Sequence, residues 1–129
     1  MTLKNYIAII ESARREREIA SRKEHRLLIP RMTDYDLIPE IYDKCKALGI
    51  SKEFFRRVFV LVIISLYSPK SLVGHKLNEG LRDRIADLFN CERSLVSHLM
   101  RNTVFWYKND KAYQDMVDLA LEELGYSEF

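Results

Sequence analysis

Six residues at helical spacing can all hydrogen-bond through their side chains: Arg93, Ser94, Ser97, His98, Arg101 and Asn102. On a helix beginning at Arg93 or Ser94 they form the face left over when Val96 and Leu99 point inward. The guanidinium fork of Arg matches two acceptors at once, and Ser, His and Asn can donate or accept. Such a set suits hydrogen bonding to base edges in the major groove of duplex DNA, and to the phosphates beside them. Lys70, His75, Lys76 and Arg82 lie just upstream, where a flanking loop and a helix start can hold phosphates. Catalytic chemistry finds no comparable grouping. His25, His75 and His98 fall in unrelated segments, and the sequence places no base to activate a Ser or Cys. No Cys/His spacing suggests zinc. The expectation is a non-enzymatic chain with no metal, no cofactor and no small-molecule substrate.

The elements that must position these side chains are legible around them. Residues 82–101 read RDRIADLFNCERSLVSHLMR. A first helix is expected near Leu81–Phe89, a turn over residues 90–92 and a second helix from Arg93 or Ser94 onward. Ile85, Leu88 and Phe89 are spaced for a buried face. Ala86 is small enough for the second helix to cross close above it. Asn90 stands where the chain reverses, and Asn is the non-glycine residue that best tolerates a left-handed backbone. Small residue, turn residue, β-branched residue and Leu (Ala86, Asn90, Val96, Leu99) fall at the spacing of a helix-turn-helix. In this the stretch resembles the bihelical DNA-binding motif of bacterial and phage regulators.

The rest of the chain reads as scaffold. Thr2 can cap a helix over residues 3–27, with Tyr6, Ile7, Ile10 and Ala13 on one stripe. Its second half alternates Glu and Arg and offers little to bury. Arg14, Arg15, Arg22, Lys23 and Arg26 there can touch phosphates or a partner. Pro30 ends this segment. A short helix follows over residues 37–48, with Ile38, Ile41, Tyr42, Cys45 and Leu48 inside and Gly49 as its stop. Ser51 starts the next helix, whose residues 58–67 carry no charge. Ten residues are about half of what a membrane span needs, so this is expected to be the central core helix. Pro69–Val73 should form a short helical turn, and residues 74–80 a loop. The recognition helix is expected to continue past Arg101 to Tyr107, with Val104, Phe105 and Tyr107 against the core. A last helix over residues 111–124 should bury Tyr113, Met116, Val117, Ala120, Leu121 and Leu124, and Gly125 stops it.

Composition bounds these readings. The chain has 129 residues, enough for one core; four Gly and three Pro are too few for a turn-rich β fold. The fold class expected is all-α: a compact helical domain over residues 30–129 with a long, charged N-terminal helical arm over residues 1–29. Cys45 and Cys91 sit in apolar helical contexts and read as buried free thiols of a reducing, cytoplasmic compartment. Met1 leads directly into a charged amphipathic segment, so no signal peptide is expected. Net charge is only +2, but Lys+Arg minus Asp+Glu is +3 over residues 69–111 and −5 over residues 112–129. A basic reading head beside an acidic closing helix fits a protein that meets phosphates with one face.

An Arg pair leading into a long apolar helix, then a helix-turn-helix, then a closing helix resembles the C-terminal DNA-binding domain of bacterial replication initiators. Val96-Ser97-His98 resembles the Val-x-His near the start of that domain's recognition helix. Asn109-Asp110 followed by Tyr113 resembles the Asp-x-x-Phe/Tyr opening of its final helix. The likeness covers roughly residues 54–124. Where the family has a Gly-Gly-Arg-Asp-His-Ser/Thr run, this chain has Asn90-Cys91-Glu92-Arg93-Ser94, so Arg93, Ser94 and His98 are the readers the resemblance implies. No Gly-rich GK[ST] loop occurs, hence no ATPase module. The chain also looks like small helix-turn-helix proteins of phages and mobile elements, small terminase subunits included, which set such a domain beside a helical oligomerisation arm. The expected function is reading duplex DNA, as a regulator or a replication or packaging accessory. The alternative is an assembly protein that keeps the fold without reading DNA. A homodimer through the N-terminal helix is expected, because one recognition helix spans too little of the duplex for strong selectivity; the alternative is that this helix folds back on its own core.

Overall fold

The computed structural model describes residues 1–15 and 28–129. Among the described residues every regular element is helical: α1 (Leu3–Arg15), α2 (Ile38–Lys46), α3 (Lys52–Tyr67), α4 (Leu81–Phe89), α5 (Arg93–Met100), α6 (Thr103–Asn109) and α7 (Lys111–Glu123), with 3-10 turns at Tyr35–Leu37 and Pro69–Val73. The all-α expectation therefore holds. None of these helices is long and apolar enough to cross a membrane.

The uncharged run behaves as its composition demands. Residues 58–67 of α3 are all buried, and Val58 through Ile63 expose no surface at all. A helix apolar on every side can be satisfied only when it is covered on every side. α2, α5, α6 and α7 all pack on it. Of the two hydroxyls in the run, Ser65 donates to the Leu61 carbonyl at 2.7 Å, one turn back, and Tyr67 donates to the Asp34 carbonyl at 2.8 Å, so neither is stranded. Aromatic rings knit α2, α3 and α4 at one end: Tyr42 meets Phe59 edge-on at 5.2 Å, and Phe59 meets Phe89 at 5.7 Å.

α1 starts where Thr2 accepts the Asn5 amide. Leu3, Tyr6, Ile7 and Ile10, spaced i, i+3, i+4, i+7, are buried in the same hydrophobic cluster as α3 and α7. The stripe is covered by the chain's own core, the nearest apolar surface for a helix with one apolar face. The Arg31 guanidinium lies 4.4 Å from the Tyr6 ring and 4.9 Å from the Phe129 ring, and its backbone amide donates to the Leu66 carbonyl. The side chains of Ala13, Arg14 and Arg15, and residues 16–27 with Arg17, Arg22, Lys23, His25 and Arg26, lie outside the described residues.

α5 is shorter than its periodicity suggests. Positions 96, 103 and 107 share one helical face, and a straight helix would bury all three. The chain instead breaks at Arg101, which is extended, and Asn102, which is left-handed at φ +64°. Asn accepts that backbone at small cost, and the Thr103 hydroxyl donates to the Met100 carbonyl left open by the break. The redirected α6 brings Tyr107 to Asp118 and Lys108 to Glu11. It also turns Phe105 outward, 62% exposed rather than packed on the core. Trp106 lies between the Arg57 guanidinium, 4.1 Å from its ring, and the edge of Tyr113.

Three buried tyrosines make stability sensitive to alkali. Tyr67 donates to the Asp34 carbonyl and Tyr113 to the Arg57 carbonyl, both at 2.8 Å, and Tyr107 donates to Asp118. Burial pushes all three hydroxyls upward, Tyr67 to about 12; for Tyr107 the hydrogen bond to Asp118 adds to the effect. The native state thus holds these protons more tightly than the unfolded chain, whose tyrosines titrate near 10.0. Their contribution is fully present below that value and is lost as pH rises toward 12. Denaturant melts followed by tyrosinate absorbance should show steady stability up to pH 10.0 and a decline above it. A melt midpoint indifferent to that window would contradict the assignment.

Candidate nucleic-acid interface

The helix pair α4–α5 is set by a Schellman turn. Asn90 is left-handed at φ +51°, its amide donates to the Asp87 carbonyl, and the Cys91 amide donates to the Ala86 carbonyl at 3.1 Å. Those two bonds satisfy carbonyls that the end of α4 would otherwise leave open. Arg56 of α3 adds a third contact there, donating to the Phe89 carbonyl at 3.2 Å while its guanidinium lies 5.1 Å from the Phe89 ring. Ala86 and Val96 are buried where the helices cross, and Leu88 and Leu99 are half-buried beside them. Cys91 differs from expectation: it is only half-buried, with its thiol against the Glu92 carbonyl, because the turn residue after a left-handed Asn sits at the rim of the crossing. Cys45 is fully buried as expected, and burial pushes its thiol up to about 11.

With Val96 turned inward, α5 presents Arg93, Ser94 and His98 to solvent, Ser97 half-buried, and Arg101 and Asn102 exposed just past its end. The loop before α4 is stitched rather than loose. Asn78 donates its side-chain amide to the Tyr67 carbonyl at 2.7 Å and its backbone amide to the Ser68 hydroxyl. Both acceptors lie at the C-terminal end of the core helix. The loop that carries Lys76 is therefore anchored to the most buried element of the fold.

Between this loop and α5 runs an open groove of about 720 Å³. It brings together Lys76, Arg82, Arg93, Ser97 and Arg101, five of the ten residues expected to meet DNA. Two of them are held across the helix pair. Arg82 donates from Nη1 to the Ser97 hydroxyl at 3.1 Å, and the Arg93 Nε lies 2.6 Å from Asp83 Oδ1. At such exposure these contacts contribute little to stability; their consequence is orientation. The other five residues stand elsewhere. Ser94 lines a second, shallower groove with Asp83, Asp87, Cys91 and Glu92. His98 and Asn102 are exposed outside both grooves. Lys70 is half-buried on the 3-10 turn, where its carbonyl accepts the His75 amide, and neither residue lines the main groove.

Sequence reasoning missed the acids. Glu79 and Asp83 line the main groove, against the four cations Lys76, Arg82, Arg93 and Arg101. The ten-residue separation of Asp83 and Arg93 signals nothing until the turn at Asn90 folds one helix onto the other. Among the described residues no group of three or more His, Cys, Asp or Glu is placed to hold a metal ion. No protein-family model, curated protein or solved structure matches the chain.

Proposed function

We propose that this chain is a non-enzymatic helix-turn-helix protein that binds duplex DNA through the groove beside α5, as a regulator or a replication or packaging accessory. The observation that carries the reading is the set Arg93 and Ser97 on a short helix seated by Val96, with Arg101 just past its end and Lys76 and Arg82 lining the same groove. Hydrogen-bonding side chains along one helix face supply what base edges require. Cations on a loop anchored to the core supply what phosphates require. The resemblance of residues 54–124 to the DNA-binding domain of replication initiators points the same way.

Fluorescence anisotropy of a labelled random duplex, titrated at rising salt, tests the reading. Binding should weaken linearly on a log–log plot as phosphate counterions are released. Lys76→Ala and Arg101→Ala should each weaken binding, and loss of one phosphate contact should lower the salt slope by about one. No retention of duplex at low salt would overturn the proposal and leave the assembly-protein reading in its place.

A further inference from the structure

The acid that sequence reasoning missed gives the groove a chemical preference. Arg93 is the first residue of α5, the end of a recognition helix that approaches base edges. Its contact with Asp83 runs through Nε, at 2.6 Å. The contact is an ion pair by distance, and among the described residues the Arg93 guanidinium makes no hydrogen bond, so its Nη1 and Nη2 donors stay open. An Arg held at Nε keeps its two terminal nitrogens side by side, and that fork matches the O6 and N7 acceptors on the major-groove edge of guanine. The flexible Arg side chain gives up rotamer freedom when it binds, and a carboxylate that holds it beforehand lowers that cost. An Asp in this position also works against the phosphate backbone, since it places a negative charge where a phosphate would come. The arrangement thus favours a base edge over a phosphate as the occupant of the space in front of Arg93.

We infer that Arg93 is a guanine-reading residue and that Asp83 is its positioning residue. This rests on the DNA-binding reading and narrows it to a base. Ser97 does for Arg82 something different: a neutral hydroxyl orients a cation without cancelling its charge, so Arg82 stays suited to phosphate.

Selection of bound duplexes from a randomised pool with the full chain tests the inference, followed by competition between the selected site and the same site with one G·C pair replaced by A·T. Wild-type protein should select a guanine at one fixed position and lose about tenfold or more in affinity on its replacement. Arg93→Lys keeps the charge and removes the fork; it should abolish that preference while random duplex is still bound. Asp83→Asn should also erode the preference, and should bind random duplex at least as tightly as wild type, because a negative charge has left the groove. Both side chains are substantially exposed, 67% for Arg93 and 48% for Asp83, so neither change removes a core contact. A selected guanine whose preference survives both substitutions would overturn the inference and leave the DNA-binding reading standing, as would duplex binding without any selected guanine. Absence of duplex binding altogether would overturn both.

Discussion

Replacing Ile63 with alanine is expected to lower the free energy of unfolding by about 2–5 kcal/mol. Ile63 exposes no surface and sits in the middle of the run over residues 58–67, where neighbours on α3 are buried on both sides of it. Removing three methyl or methylene carbons there forfeits their transfer free energy and leaves a void that the surrounding rings and aliphatic chains cannot fully close. A domain of this size has a stability of roughly 5–15 kcal/mol, so the change should be visible as a large drop in the urea midpoint with little change in slope. A loss under about 1 kcal/mol would mean that the site is less tightly enclosed than its burial implies. The proposed duplex binding should change only through the fraction of folded protein, since Ile63 lies in the core and does not line the groove.

The second large effect belongs to α1. Ile7→Ala and Ile10→Ala together should destabilise the chain by more than either alone, each costing about 2–5 kcal/mol if the cavity stays open. Both side chains are 0–1% exposed and share the cluster that includes α3 and α7. The two reside on the same stripe one turn apart, so their effects need not add. The outcome separates this structure from an oligomerisation arm. An arm stripe, once emptied, would lower sedimentation mass and leave the melting of the rest intact. A core stripe lowers the melting midpoint and leaves the sedimentation mass of the folded protein unchanged. Deleting the whole segment over residues 1–29 should likewise unfold the chain, where an arm could be cut away. A double variant with wild-type melting and reduced mass would restore the arm.

Much of the scaffold could be read directly from residue types. The uncharged run of α3, the cap at Thr2 and the left-handed Asn90 each carry a local physical reason, and the structure has each in the expected place. Asp110 accepts the Tyr113 amide at 3.1 Å, which explains why a helix begins directly after a break. Periodicity also found the inner faces of α2 and α7, because a helix that must bury one stripe declares it at intervals of three and four.

Periodicity misled where two arrangements satisfy the same pattern. Residues 96, 103 and 107 fit one straight helix, and they equally fit two helices broken at Asn102. What decides is the position of Asp118 and Glu11, which are remote in sequence and give Tyr107 and Lys108 partners only after the chain turns. The stripe of α1 presented the same ambiguity, since an apolar face does not say whose surface will cover it. Of the ten residues expected at the interface, the outward set on α5 followed from the inward turn of Val96. Their division into one groove with Lys76, Arg82, Arg93, Ser97 and Arg101, and a remainder outside it, depended on the loop being tied by Asn78 to the end of α3. The sequence by itself determined the helical class, the core helix and the turn between α4 and α5, because these rest on local propensity and on burial that any fold of this chain must meet. Only the tertiary structure decided that α1 belongs to the core, that α5 stops at Met100 and that Asp83 lies against Arg93, because each depends on contacts between residues at least ten positions apart, which no local pattern encodes.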